Sequence, residues 1–287
     1  MAGVYDPAAQ TLALYVDGGL AGTTPRPTAW AATGAFAVGR GVASGTASGR
    51  FVGDVADIRA WQRILDPAGI AALAKLPPNA GRWGMDDPAS AVAADLSGLT
   101  ADHDATLAGS AAWAAGRTGY GLRTAGVGAA LTASGPAIRT DRSFTVSAWV
   151  NVTASTPWYY HAVSQDGTTT SGFFLGEAGG VWGFTRTPSD ASAEPIRAYS
   201  TAPMARNTWT HLTGVYDASA GQIRLYVNGA HAATTACACS WHANGPFVIG
   251  RAKWNSAQTD WWPGGVDDVR VFAGVLSNAQ IAYLATQ

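Results

Sequence analysis

The sequence predicts an all-β protein, an antiparallel β-sandwich or jelly roll with one short C-terminal helix per repeat. Three observations predict it. Short apolar segments alternate with polar positions at the period of two that marks half-buried strands. Charged residues are only 13% of the 287 residues, while glycine is abundant at 35, a composition of many turns. The chain also repeats itself. At a shift of 211 residues, positions 1–74 align with 212–285 without a gap, with 28 identical pairs.

The clearest element is the stretch from Gly214 to Gly229. Val215-Tyr216-Asp217 leads into Ile223, Leu225 and Val227, which share one face, while Arg224 and Tyr226 share the other. Asn228-Gly229 then provides a pair that tolerates positive φ, as a tight turn requires. The same hairpin opens the chain as Gly3-Val4-Tyr5-Asp6 and Leu12 to Gly18. Downstream the register holds through Trp30 and Trp241, Phe36 and Phe247, Gly39-Arg40 and Gly250-Arg251, Asp57 and Asp268, and Leu65 and Leu276.

A repeat of this length makes residues 81–287 one complete domain. Residues 1–75 match only the C-terminal part of an earlier copy, and residues 76–80, with Pro77-Pro78, form a linker that neither sheet nor helix can absorb. Within the complete unit the alternating runs are 81–86, 144–150, 160–164, 172–176, 181–185, 209–213, 247–250 and 266–272. The only helical signals lie at the ends of the two copies. Asp66 caps a helix with Pro67 at its first position, and Ser277 caps Asn278 to Ala285.

With a net charge of −1 and no basic block, nucleic acid is not an expected partner. No apolar run reaches the ~18 residues that span a bilayer, and the first residues carry no export signal. Cys237 and Cys239, one residue apart, form either a local disulfide that needs a bulge or turn, or two free thiols.

The chemistry of catalysis is thinly represented. Glycoside hydrolysis needs two carboxyl groups flanking the scissile bond, yet Glu177 and Glu194, the only glutamates, lie in separate segments. The acidic neighbours Asp86-Asp87 and Asp267-Asp268 point to opposite faces if extended. No nucleophile elbow and no histidine pair at metal-ligand spacing occurs, so no catalytic residue is assigned. Trp30, Trp61, Trp83, Trp149, Trp209 and Trp241 belong to shared or framework positions and are expected in the core.

Binding residues are sought where the two copies disagree. Trp254 stands where the first copy has Ala43, and Trp261 where it has Arg50, so the framework does not require them. With Asn255 and Asp260 they fill one loop, while Trp158, Tyr159 and Tyr160 fill a second at a strand entry. Flat aromatic faces with nearby amides and acids suit a glycan or a protein surface.

Taken in order, the motifs Trp83-Gly84-Met85-Asp86 with Asp95-Leu96-Ser97-Gly98, then 144–150, then Trp209-Thr210-His211-Leu212 with 225–229, and finally 266–272 with Leu276-Ser277 resemble the laminin-G-like domains of the concanavalin A-like lectin and glucanase superfamily, as found in bacterial secreted proteins. The resemblance covers residues 81–285 and, for its second half only, 1–74. It implies two antiparallel sheets face to face, an extracellular setting beside other domains, and often a structural calcium. By that resemblance the first and last strands adjoin, which brings the loop of Asp95 and Asp102 toward Asp268 as candidate calcium ligands. The reading that follows is a non-catalytic extracellular module for glycan or a surface protein within a larger secreted protein. Its alternatives are a structural spacer or assembly domain, and a glycoside hydrolase or lyase. Self-association is a further expectation, because the incomplete copy leaves an apolar sheet face uncovered.

Overall fold

The computed structural model describes residues 1–287 apart from 17, 27–32, 44, 53, 54, 56, 57, 59, 74–76, 78, 100–102, 128, 129 and 192. Two compact units are present, Met1–Pro78 and Asn79–Gln287. The first contains β1 (Ala2–Asp6), β2 (Thr11–Val16) and β3 (Gly19–Pro25) in one antiparallel sheet in that order, a small pair β4 (Gly41–Ala43) and β5 (Thr46–Ser48), and helix α1 (Pro67–Leu73). The Asp66 cap forms as the sequence predicts, accepting the Gly69 N–H at 2.6 Å.

The second unit begins with β6 (Gly81–Trp83), β7 (Val92–Ala93), β8 (Ala105–Ala108), β9 (Ala112–Ala115), β10 (Tyr120–Ala125) and β11 (Ala130–Ala133). Then come β12 (Phe144–Val152), β13 (Tyr159–Asp166), β14 (Ser171–Ala178), β15 (Val181–Arg186), β16 (Ile196–Pro203), β17 (Thr210–Asp217) and β18 (Gln222–Val227). It ends with β19 (Ala230–Ala236), β20 (Phe247–Ile249), β21 (Ala252–Trp254), β22 (Ala257–Thr259), β23 (Pro263–Ala273) and α2 (Asn278–Leu284). Among the described residues these build two eight-stranded antiparallel sheets. One, here the helix-side sheet, runs β19-β18-β17-β12-β23-β10-β9, with β6 also paired to β23. The other, the hairpin-side sheet, runs β16-β15-β14-β13-β20-β11-β8-β7.

The core lies between the sheets and is made by the inward positions of each strand. Phe144, Val146, Ala148, Val150 and Val152 of β12 are all fully buried. Across the gap Phe173, Leu175 and Phe184 meet them, with Phe144 and Phe173 rings 5.2 Å apart and Trp83 stacked on Phe247 at 4.7 Å. The sheets can approach this closely because β17 carries a glycine at the contact. A Cβ on Gly214 would sit 2.3 Å from the Phe184 ring. On the outer face of the helix-side sheet α2 packs over the β18–β19 end, with Ile281 and Leu284 buried and Ser277 making a full capping box with Gln280.

Several sequence expectations are corrected. Asp267 and Asp268 do not alternate, because Asp268 takes φ of 42° where β23 carries an extra residue opposite β12 between Ser147 and Trp149. Trp209 and Trp241 are half-buried rather than core, Trp61 is exposed, and Trp30 lies outside the described residues. Trp149 is buried, but on the outer face of its sheet against His211 and beneath Arg117. The alanine-rich strands β8, β9, β11 and β19 carry too little side-chain contrast for alternation to reveal them. Cys237 and Cys239 are bridged, with Cα atoms 5.3 Å apart in the irregular stretch after β19.

The Gly214–Phe184 contact predicts that Gly214→Ala destabilises the second unit by about 1–3 kcal/mol through overpacking, read from urea unfolding followed by tryptophan fluorescence. An unchanged midpoint would contradict the contact.

Candidate functional site

The second unit gathers the two aromatic loops at one rim of the hairpin-side sheet. β21 and β22 form a hairpin whose two-residue turn, Asn255-Ser256, has φ of 50° and 63°. Positive φ at both central positions is the type I′ geometry that asparagine tolerates, so Asn255 is needed for the turn itself. The Ser256 N–H bonds Thr169 O at 2.7 Å and ties the hairpin to the 167–170 loop. That loop is set by Asp190, whose carboxylate accepts the N–H groups of Thr168, Thr169 and Thr170, holding its pKa below the ordinary carboxylate value against the opposing effect of burial.

From the hairpin a chain of contacts crosses to the strand entry. Trp254 lies with its ring 6.4 Å from Phe174, which lies 4.8 Å from His161. His161 donates its backbone N–H to Asp260 O at 3.0 Å, and its Nε2 sits 3.7 Å from the Asp260 carboxylate. Trp261 forms a parallel bridge with His161, and the Trp158 side chain acts against the effect of burial on the Asp260 carboxylate. Trp158 and Tyr159 meet edge to face at 6.3 Å and are the most exposed aromatics of the cluster, at 58% and 45%. Tyr160 alternates inward, where it packs partly against the core opposite Glu177.

Burial governs the charges here. It lowers the pKa of His161 to about 3, so the ring is neutral at pH 7, and it raises that of Asp260 above the usual carboxylate value. Glu177, opposite Tyr160 on the inward side of β14, is fully buried. Its Oε1 accepts from the Trp158 N–H at 3.2 Å and from Arg206 at 3.0 Å, while Oε2 has no hydrogen-bond partner among the described residues. Sequence reasoning considers Glu177 only as a hydrolytic acid and passes over Arg206, Phe174 and the pairing of His161 with Asp260. The usable signal is that Glu177, one of two glutamates, lies in an otherwise apolar strand.

The calcium ligands expected from the sequence fare differently. Strand β6 does pair with β23, as the resemblance implies. Asp95, however, spends Oδ1 on the N–H groups of Arg82 and Ser97 and sets Oδ2 3.3 Å from His103 Nδ1. Asp268 forks onto Arg270 at 2.7–3.0 Å, and Asp102 lies outside the described residues. Among the described residues no three His, Cys, Asp or Glu side chains come close enough together to hold a metal. Asp95 and Asp268 therefore do not fit a shared calcium, because protein donors occupy the lone pairs it needs. The notable carboxylate nearby is Asp267. It accepts the N–H groups of Arg117, Thr118 and Asp268, yet burial raises its pKa to about 6.

A family model described as the concanavalin A-like lectin/glucanase superfamily matches residues 1–71 and 125–282. No curated protein matches the sequence significantly. Among solved structures the fold is similar to domain 4 of AbnA, a GH43 extracellular arabinanase from Geobacillus stearothermophilus solved with arabinotriose, at 17% identity and a TM-score of 0.52, over 72% of this chain and 98% of that one. It is also similar to the binding domain of botulinum neurotoxin DC in complex with rat synaptotagmin II, at 15% identity and a TM-score of 0.56, over 73% of this chain but only 51% of that one. A third likeness is to Trypanosoma rangeli sialidase with the inhibitor DANA, at 16% identity and a TM-score of 0.50, over 71% of this chain and 32% of the enzyme.

The buried His161 generates a pH prediction. Its folded pKa of about 3 lies below the ordinary 6.5, so the unfolded chain binds a proton the folded one refuses. The stability this protects is complete above pH 6.5 and falls with acidification, at up to about 1.4 kcal/mol per pH unit for one proton. His211, lowered to about 4 by burial, acts in the same direction, and Asp267 and Asp260, both raised, act against it. Relative to wild type, His161→Gln is expected to gain stability as pH falls from 6.5 to 4, seen in paired thermal melts. Parallel curves for the two proteins would refute the buried neutral ring.

Proposed function

Because the chain belongs to the concanavalin A-like lectin/glucanase superfamily, we propose that its second unit is a non-catalytic glycan-binding module and that the rim formed by Trp158, Tyr159, Trp254, Trp261 and Asp260 is its site. The observation that carries the reading is the convergence of two loops, far apart in sequence, on one rim where Trp158 and Tyr159 are exposed and Trp254, Trp261 and Asp260 half-buried. Sugar rings stack on flat aromatic faces, and carboxylates read hydroxyl groups. Trp158 offers such a face on an anchored backbone, since its N–H donates to Glu177 Oε1 and its ring meets Tyr159 edge to face. A rigid platform loses little conformational entropy when a ligand docks.

The arabinanase domain with its arabinotriose and the sialidase with its inhibitor support a carbohydrate, while the toxin domain with synaptotagmin keeps a protein surface as the alternative partner. We place the module outside the cell as part of a larger secreted protein, on the strength of the extracellular arabinanase likeness. Among the described residues no helix is long and apolar enough to cross a membrane. Asp260 is assigned to ligand contact, and the fully buried Glu177 to holding the Trp158 backbone and Arg206 rather than to bond cleavage.

Calorimetric titration with arabino-oligosaccharides and sialylated oligosaccharides tests the site. Trp158→Ala and the pair Trp254→Ala with Trp261→Ala are each expected to weaken binding about tenfold or more, equivalent to ~1.4 kcal/mol, whereas Tyr120→Ala on the other sheet leaves it unchanged. A wild type that binds none of them, or variants that bind as well, would remove the assignment. Release of reducing ends by the wild type would instead favour the hydrolase reading.

A further inference from the structure

The buried arginines of the second unit are paired with carboxylates, and one of them is not. Arg251, 3% exposed, sets Nη1 3.1 and 2.9 Å from the two oxygens of Asp166. Arg270, 8% exposed, grips Asp268 through Nε and Nη2 together. Half-buried Arg206 and Arg224 pair with Glu177 and Asp217. Even Arg139, at the surface, holds Asp141 through Nε and Nη2 at 2.9 and 2.6 Å. Arg186 on β15 is more deeply buried than any of these, at 0% exposed. Its guanidinium hydrogen-bonds no carboxylate among the described residues.

The surroundings satisfy only one edge of it. Nη1 donates to Thr140 O at 2.7 Å, and the guanidinium carbon lies 5.3 Å from the centre of the Phe144 ring and 4.4 Å from that of Tyr216. Aromatic faces attract a cation but carry no net charge to neutralise it. Its neighbours across β14 and β16, Phe173 and Ile196, are apolar. Nε and Nη2 are both buried and bond no described residue. Those two N–H groups form one complete fork, the same edge that Arg139 and Arg270 present to an anion. Burial lowers the Arg186 pKa only to about 10, so the group keeps its proton at pH 7. Asp141 acts on it through space, yet both Asp141 oxygens are taken by Arg139. An ionised group closed off from water is retained where a counter-charge and hydrogen bonds meet it.

We propose that the Nε–Nη2 fork of Arg186 binds a single halide-sized monovalent anion between the two sheets, beside Phe144 and Tyr216. Charge and size set this class. One guanidinium neutralises one negative charge, and the apolar neighbours offer no second cation for a dianion. Both nitrogens are closed off from solvent, which favours the smallest counter-charge, and a spherical anion accepts from both N–H groups at once. The site shares no residue with the aromatic rim, so either reading can fail alone.

Thermal unfolding of the full chain, followed by tryptophan fluorescence at constant ionic strength, tests the site with chloride exchanged for gluconate, whose bulk keeps it from a closed interior. Between about 1 and 200 mM chloride the midpoint of the second unit is expected to rise by about 3 °C or more along a saturating curve, as for any ligand of the folded state alone. Arg186→Met removes the charge and keeps an apolar side chain, and it is expected to abolish the chloride response and to melt in gluconate no lower than the wild type. Wild-type crystals soaked in bromide supply a readout that depends on no variant, an anomalous signal beside Nε and Nη2. The proposal fails if chloride and gluconate give the same midpoint, or if bromide leaves no signal there. It fails equally if Arg186→Met responds to chloride as strongly as the wild type, which would place the effect at the surface, or if the response appears only in Asp141→Asn, which would make Asp141 the counter-charge.

Discussion

The contact on which the second unit depends is the interlocking of two amphipathic sheets across a single layer of aromatic side chains. Phe184, Phe144, Phe173 and Phe247 follow one another in contact, with Trp83 stacked on Phe247 at the end. Gly214 removes the one side chain that would keep the sheets apart. Burying a phenylalanine contributes roughly 1.5–3 kcal/mol, so a few such residues rival the net stability of a whole domain. Because the inner faces satisfy each other, the outer faces are free for other uses. One is closed by α2, and the other carries the β21–β22 hairpin.

The candidate site is built from that second freedom. The hairpin lies over β13 and β14 and buries His161 and Phe174 beneath Trp254, which turns polar groups into fixed supports. Buried polar groups are expensive to leave loose, and the His161 backbone is tied to Asp260 O while its ring packs on Phe174. Glu177 holds the Trp158 backbone and Arg206 at once. The exposed rings therefore stand on a rigid base, and preorganisation of this kind favours a ligand that contributes little binding energy per ring.

The two copies separate framework from surface without any further sequence. Tyr216, Asp217 and Tyr226 look chemically attractive, yet their repetition as Tyr5, Asp6 and Tyr15 marks them as structural. Asp217 orders its turn by accepting from Ala220 and Ser219 and by pairing with Arg224 at 2.7 Å. Tyr226 hydrogen-bonds Asn278 and so fastens α2. The hairpin that differs most between the copies is also the one that carries Trp254, Asn255 and the approach to Trp261.

Period-two alternation, turn pairs such as Asn228-Gly229, the cap residues and the internal repeat determined the all-β class, the helix at the end of each copy and the two aromatic loops from which the candidate site is drawn. These are local signals, set by backbone geometry and legible over a few residues. Tertiary structure decided the rest. Only packing brings Trp158 to Asp260 across a separation of about a hundred residues, puts Asn255 in a type I′ turn, and turns Asp268 into a bulge paired with Arg270 rather than a metal ligand. Alanine strands escaped notice because a methyl group reports neither face. The difference between Leu14, exposed on β2, and its repeat counterpart Leu225, buried in the core, was invisible for the opposite reason: one residue type in one local pattern is core or surface according to whether a second sheet lies above it, and burial is a property of what arrives from elsewhere in space.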